Sequence, residues 1–67
     1  MNIESSSISE VTYQPQTEFL YVTFKRDNKM YQYEGVPQDV YDEFLKADSK
    51  GIYFNYIIAP NYPFRKL

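Results

Sequence analysis

Within Tyr31-Gln32-Tyr33-Glu34-Gly35-Val36-Pro37 the pattern of the chain changes from strand to helix. Tyr31 and Tyr33 fall on one face of an extended segment, because successive side chains of a strand alternate. Pro37 then suits the first turn of a helix, where its fixed φ is already helical and its missing N–H has no partner to lose. The neighbouring elements can be placed outward from this junction.

Upstream, Phe19 to Lys25 is the clearest strand: Leu20, Val22 and Phe24 share one face, and Phe19, Tyr21 and Thr23 the other. Asp27-Asn28 predicts a tight hairpin turn, since Asn tolerates positive φ. Met30 to Glu34 returns as the next strand, with Tyr31 and Tyr33 on one face and Met30 and Gln32 on the opposite one. Ile8 to Tyr13 forms the first strand, and Pro15-Gln16-Thr17 turns it around. Residues 1–7, with Ser5-Ser6-Ser7, read as a loose lead-in.

Downstream, Val40, Tyr41, Phe44 and Leu45 make one helical stripe. Asp39, Asp42 and Glu43 lie toward its N-terminal half, where the helix dipole favours acids. Ala47-Asp48-Ser49-Lys50-Gly51 ends that helix. Ile52 to Ile58 then forms a second short helix that Pro60 must stop, with a strand over the same residues as the alternative. The expected fold class is α+β, a three-stranded antiparallel β-meander followed by two short helices packed on one face. One domain spans residues 1–67.

Composition narrows the chemistry. Eight tyrosines and five phenylalanines stand in a 67-residue chain without tryptophan, histidine or cysteine. Disulfides are excluded, a structural zinc site is not expected, and no cofactor is called for. Large aromatics instead supply the burial that a chain this small needs. Met1-Asn2-Ile3-Glu4 has no basic n-region and Ile57-Ile58-Ala59 is far too short to span a bilayer, so a cytoplasmic monomer or small homo-oligomer is expected, with no membrane. Net charge is −2, with a pI near 4.9. Its distribution is uneven. Lys25, Arg26 and Lys29 outweigh Asp27 by two charges; Glu34 to Asp48 holds five acids against Lys46; Lys50, Arg65 and Lys66 close the chain at +3.

In order, Ser6-Ser7, Ile8, Val11, Tyr13, Leu20-x-Val22-x-Phe24, Tyr31-x-Tyr33, Val36-Pro37, Val40-Tyr41, Ala47, Ser49-x-Gly51-x-Tyr53-Phe54-Asn55, Ile58 and Tyr62 resemble the KTSC domain over nearly the whole chain. That module is named for the C-terminus of some lysyl-tRNA synthetases and also occurs free-standing. The Tyr-x-Tyr and Ser-x-Gly-x-Tyr-Phe-Asn elements together carry the likeness. The resemblance implies a small domain of unknown biological role with RNA, tRNA in particular, as the partner. Asp27-Asn28-Lys29 departs from it where a glycine would be expected, and the acidic balance departs from what RNA binding would favour.

Several residues are candidates. Tyr31 and Tyr33, the family motif, are expected in the core beneath the helices, a base-stacking platform being the alternative. Phe19 and Tyr21, with Met30, lie on the opposite sheet face and are the expected protein interface. Ser49-Lys50-Gly51 reads as a helix connection in which Ser49 caps; the alternative is an anion held by free N–H groups with Lys50 alongside. Arg65 and Lys66 beside Tyr62 and Phe64 make either a frayed end or a nucleic-acid contact. Asp39, Asp42 and Glu43 have the spacing of solvated acids, and the chain offers no constellation for catalysis. The expectation is therefore a small non-catalytic binding module, not an enzyme. Its RNA contact would be Lys50, Tyr53, Tyr62, Arg65 and Lys66, weak and salt-sensitive. The alternative is a protein–protein or self-associating module that uses the exposed aromatic sheet face.

Overall fold

Four antiparallel strands in the order β1-β2-β3-β4 form the sheet, in a computed structural model that describes residues 8–67. The strands are β1 (Ile8–Gln14), β2 (Phe19–Phe24), β3 (Met30–Tyr33) and β4 (Phe64–Lys66). Helix α1 (Gln38–Lys46) and the short α2 (Lys50–Tyr53), continued by a π-helical turn (Phe54–Ile58), complete the fold. The α+β class holds and the strand count is corrected from three to four. The expected lead-in at 1–7 lies outside the described residues.

Alternation sets the register. Val11 pairs Val22 and Tyr13 pairs Leu20, while Leu20 pairs Tyr33 and Val22 pairs Tyr31. These residues share the face on which the helices sit. Leu20, Val22, Tyr33, Val36, Phe44, Phe54 and Ile58 are buried there. Phe54 meets Tyr33 edge-on at 5.1 Å and Phe24 at 5.5 Å, the T-shaped geometry that the ring quadrupoles favour. Aromatic side chains therefore fill most of the space between sheet and helices.

Pro37 proves to be the residue before α1, extended at ψ 158°, with Gln38 as the first helical residue. Of the predicted stripe, Phe44 is buried, Val40 and Tyr41 are half-buried, and Leu45 is exposed. Ser49 caps α2, its Oγ accepting from the Ile52 N–H at 3.3 Å. Residues 52–58 are helical, and the strand alternative falls. Pro60 has no N–H to offer, so the last carbonyls find other donors. Asn61 Nδ2 donates to the Ile57 carbonyl at 2.7 Å, and the backbone N–H groups of Asn61 and Tyr62 donate to Ile58.

That reversal returns the chain to the sheet and makes the fourth strand. The Glu34 N–H donates to the Pro63 carbonyl and the Leu67 N–H to Met30, each at 2.9 Å. Phe64 lies opposite Tyr33 and Lys66 opposite Tyr31. The end read as either frayed or functional is a paired edge strand.

The β2–β3 turn is also wider than the two-residue Asp27-Asn28 turn expected. The Asn28 N–H donates to the Phe24 carbonyl at 2.8 Å across Lys25–Asn28. Asn28 has φ 55°, and the Lys29 N–H donates to Asp27 Oδ1 at 3.2 Å. Asn supplies here the left-handed conformation for which a glycine was expected. The β1–β2 turn repeats this form, with the Glu18 N–H bonded to Gln14 at 2.8 Å and Glu18 at φ 59°.

Candidate functional site

The five residues expected to contact nucleic acid do not form one surface. Tyr53 lies on α2, and its hydroxyl donates to the Val40 carbonyl at 3.5 Å. Burial, then Glu43, Tyr62 and Asp39, push that hydroxyl above its ordinary pKa, so its surroundings are partly anionic. Tyr62 packs against the core. Lys50 donates from Nζ to the Ala47 carbonyl at 3.4 Å. Arg65 pairs Gln32 in register, on the sheet face away from the helices; its Nε lies 3.7 Å from Glu34. Only Lys66 keeps the helix-side face of β4, opposite Tyr31.

Pairing of β4 places Lys66 in new company. Leu67 bonds to Met30, so the end of β4 lies at the same end of the sheet as the Lys25–Asn28 turn. Lys25, Arg26, Lys29 and Lys66 are all exposed, with Asp27 the one acid among them. With Glu10, which is exposed opposite Thr23 at this same end, the four cations leave two net positive charges here. Among the described residues none of the four forms an ion pair.

A row of rings crosses the sheet beside these charges. Phe64 lies 5.6 Å from Tyr31, Tyr31 lies 5.4 Å from Phe24, and the Arg26 guanidinium stands 5.3 Å over the Phe24 ring. The row is Phe64, Tyr31, Phe24, Arg26, from β4 across β3 to the end of β2. Phe24 and Tyr31 are half-buried and Phe64 is 56% exposed. Tyr33, the other member of the tyrosine pair, is 5% exposed. Burial and then the neighbouring Tyr31 raise its hydroxyl above the ordinary pKa. The cluster at residues 25–29 was visible in the sequence as a local charge excess. Its meeting with Lys66 and Phe64 depends on β4.

The opposite end of the sheet is acidic. The Tyr13 hydroxyl donates to the Val36 carbonyl at 2.6 Å, and its ring stacks on Tyr41 at 4.4 Å. Burial, then Glu18, Asp39 and Asp42, raise its pKa. Four of the seven cations thus gather at one end of β2, and Glu18, Asp39 and Asp42 at the other.

On the sheet face away from the helices, Phe19 and Tyr21 are half-buried and meet edge-on at 6.3 Å. Neither belongs to the core, and Met30 on the same face is 42% exposed. Among the described residues there is no pocket, and no cluster of three or more residues able to hold a metal ion. No helix among them is long and apolar enough to cross a membrane.

Comparison with known proteins agrees with the architecture. An uncharacterized protein of Stutzerimonas stutzeri is 37% identical over 60 residues, covering 90% of this chain and 83% of its own. A protein of Tsukamurella paurometabola is 35% identical over 60 residues, covering 90% and 88%. The crystal structure of a KTSC domain protein from Yersinia pestis superposes with a TM-score of 0.88 at 33% identity, covering all of this chain and 93% of the other. Residues 4–62 match the KTSC domain model, and the chain belongs to the KTSC domain family.

Proposed function

We propose that this chain is a small non-catalytic binding module that holds RNA by its phosphates at the β2–β3 turn. The observation that carries the proposal is the pairing of β4 beside β3, which brings Lys66 to the same end of the sheet as Lys25, Arg26 and Lys29. Four exposed cations beside half-exposed rings supply the two ingredients of single-strand contact, backbone attraction and stacking. The contact therefore differs from the one expected at Lys50, Tyr53, Tyr62 and Arg65. Of those residues, Arg65 lies on the other face of the sheet, and both Lys50 and Arg65 already have a polar partner.

Neutralising three or four phosphates gives a salt slope of roughly −2 to −3 on a single strand, so affinity falls roughly 15- to 50-fold between 50 and 200 mM salt. The test is an amide NMR titration with a mixed tRNA pool at those two salt concentrations. Shifts at Lys25–Tyr31 and Phe64–Leu67 that fade with salt are the expected result. Shifts confined to the α2 region, or an unchanged spectrum at low salt, contradict it.

Phe19, Tyr21 and Met30 favour a second function, self-association of two copies through the open sheet face. At about 3.3 Å per residue and about 4.8 Å between strands, the four strands present a face of roughly 300 Å². A stable interface needs about 800 Å² per partner, so such a dimer would be weak. Sedimentation equilibrium decides: wild type should associate at high concentration and Tyr21→Glu should not. A monomer at all concentrations for both proteins removes this function.

A further inference from the structure

Phe64 is the least covered ring of the row that crosses the sheet. It rests on Tyr33, with centroids 5.4 Å apart and planes inclined by 31°, and tilts against Tyr31 on its flank. One side of the ring is thus held by the core, and over half of the residue remains open to solvent. Lys66 shares the same face of β4 two residues on, about 7 Å along the strand. A flat apolar surface with a cation one step away has the form of a base-and-phosphate contact. Phosphate attraction alone treats single strands and duplexes alike in kind, whereas stacking needs an unpaired base.

Resting on the RNA-binding role proposed above, we infer that Phe64 is a base-stacking residue and that it makes the module selective for unpaired nucleotides over duplex. The surface is narrow. Tyr33 is buried under the helices and Tyr31 offers only part of its ring, so Phe64 accommodates one base, or at most two with Tyr31. The ligand is a short unpaired stretch such as a loop or a strand end.

Fluorescence anisotropy at 50 mM salt with a labelled octanucleotide RNA, and with its blunt duplex, tests this. Wild type should prefer the single strand, and Phe64→Leu should lower single-strand affinity by at least about fivefold while leaving duplex affinity and the salt slope in place. Phe64→Trp gives a second measurement in a chain that has no tryptophan of its own. Its emission should be quenched on adding single strand and not on adding duplex. Equal wild-type affinity for both RNAs, an unaffected Phe64→Leu, or an unquenched tryptophan with RNA bound overturns the stacking role. Failure of wild type to bind either RNA at 50 mM salt overturns the RNA-binding role itself, and stacking with it.

Discussion

Pro15–Glu18 and Lys25–Asn28 are turns of the same backbone form at opposite ends of β2. Each spans four residues, closes with an N–H four positions from its carbonyl, and ends on a left-handed residue, Glu18 at φ 59° and Asn28 at φ 55°. Their surroundings differ. The first is tied to the fold: the Val36 N–H donates to the Glu18 carbonyl at 3.0 Å, and Tyr13 holds the Val36 carbonyl from the other side. The second bonds only to itself and its own strands, and it exposes Lys25 and Arg26. Turn geometry here follows from loop length and one left-handed residue, which leaves side chains free to serve different ends. One turn anchors the junction between strands and helix; the other presents charge.

Both ends depend on one core. Phe44→Ala removes a fully buried ring and should cost about 3–5 kcal/mol, a large share of the stability of a domain this small. Urea denaturation followed by circular dichroism would measure it, and a cost below about 1 kcal/mol would mean that α1 does not hold the sheet.

At the anchored end, Tyr13→Phe leaves the Val36 carbonyl without its hydroxyl donor and should cost about 1 kcal/mol. By contrast, Arg26→Ala at the free end should change stability by less than about 0.5 kcal/mol. Equal costs for the two would erase the distinction between the ends. Tyr13 also has a pH signature. Its pKa is raised in the fold, as are those of Tyr33 and Tyr53. The stability this contributes is fully present below the unfolded value of about 10, and it is lost as pH rises through the folded value. Urea midpoints should therefore drop between about pH 9 and about pH 11, less steeply in Tyr13→Phe.

The finest contrast is at the left-handed positions. Glu carries a Cβ penalty there that Asn tolerates better. Glu18→Gly should stabilise by about 0.5 kcal/mol after the extra flexibility of the unfolded chain is counted, while Asn28→Gly should be near neutral. Thermal melts of the two variants check this; Asn28→Gly gaining more than Glu18→Gly would reverse the assignment of strain.

Much of this was legible in the sequence because it is local. Alternation in Phe19–Phe24 and Met30–Tyr33, and the change of period at Val36-Pro37, gave two strands and the start of α1 to within one residue. Ser49 as a cap and Pro60 as a stop bounded the second helix. Phe64-Arg65-Lys66 is too short to show a strand period, and it pairs with residues more than thirty positions earlier. The fourth strand therefore left no local trace. The same limit explains the site. Lys25, Arg26 and Lys29 are visibly clustered, but only the β4 pairing adds Lys66 and Phe64 to them and turns Arg65 to the other face. Glu18 gave no sign of its left-handed backbone, since its side chain is not one that favours it.

The most direct test sets cations of the turn end against cations of the helices at equal net charge. Lys29→Glu with Lys66→Glu, and Lys46→Glu with Lys50→Glu, each carry the chain from −2 to −6. Affinity for a labelled single-stranded RNA at 50 mM salt should fall at least about tenfold in the first pair, and no more than about threefold in the second, whose charges act only at a distance. An equal or larger loss in the second pair would contradict the placement of the RNA contact at the β2–β3 turn.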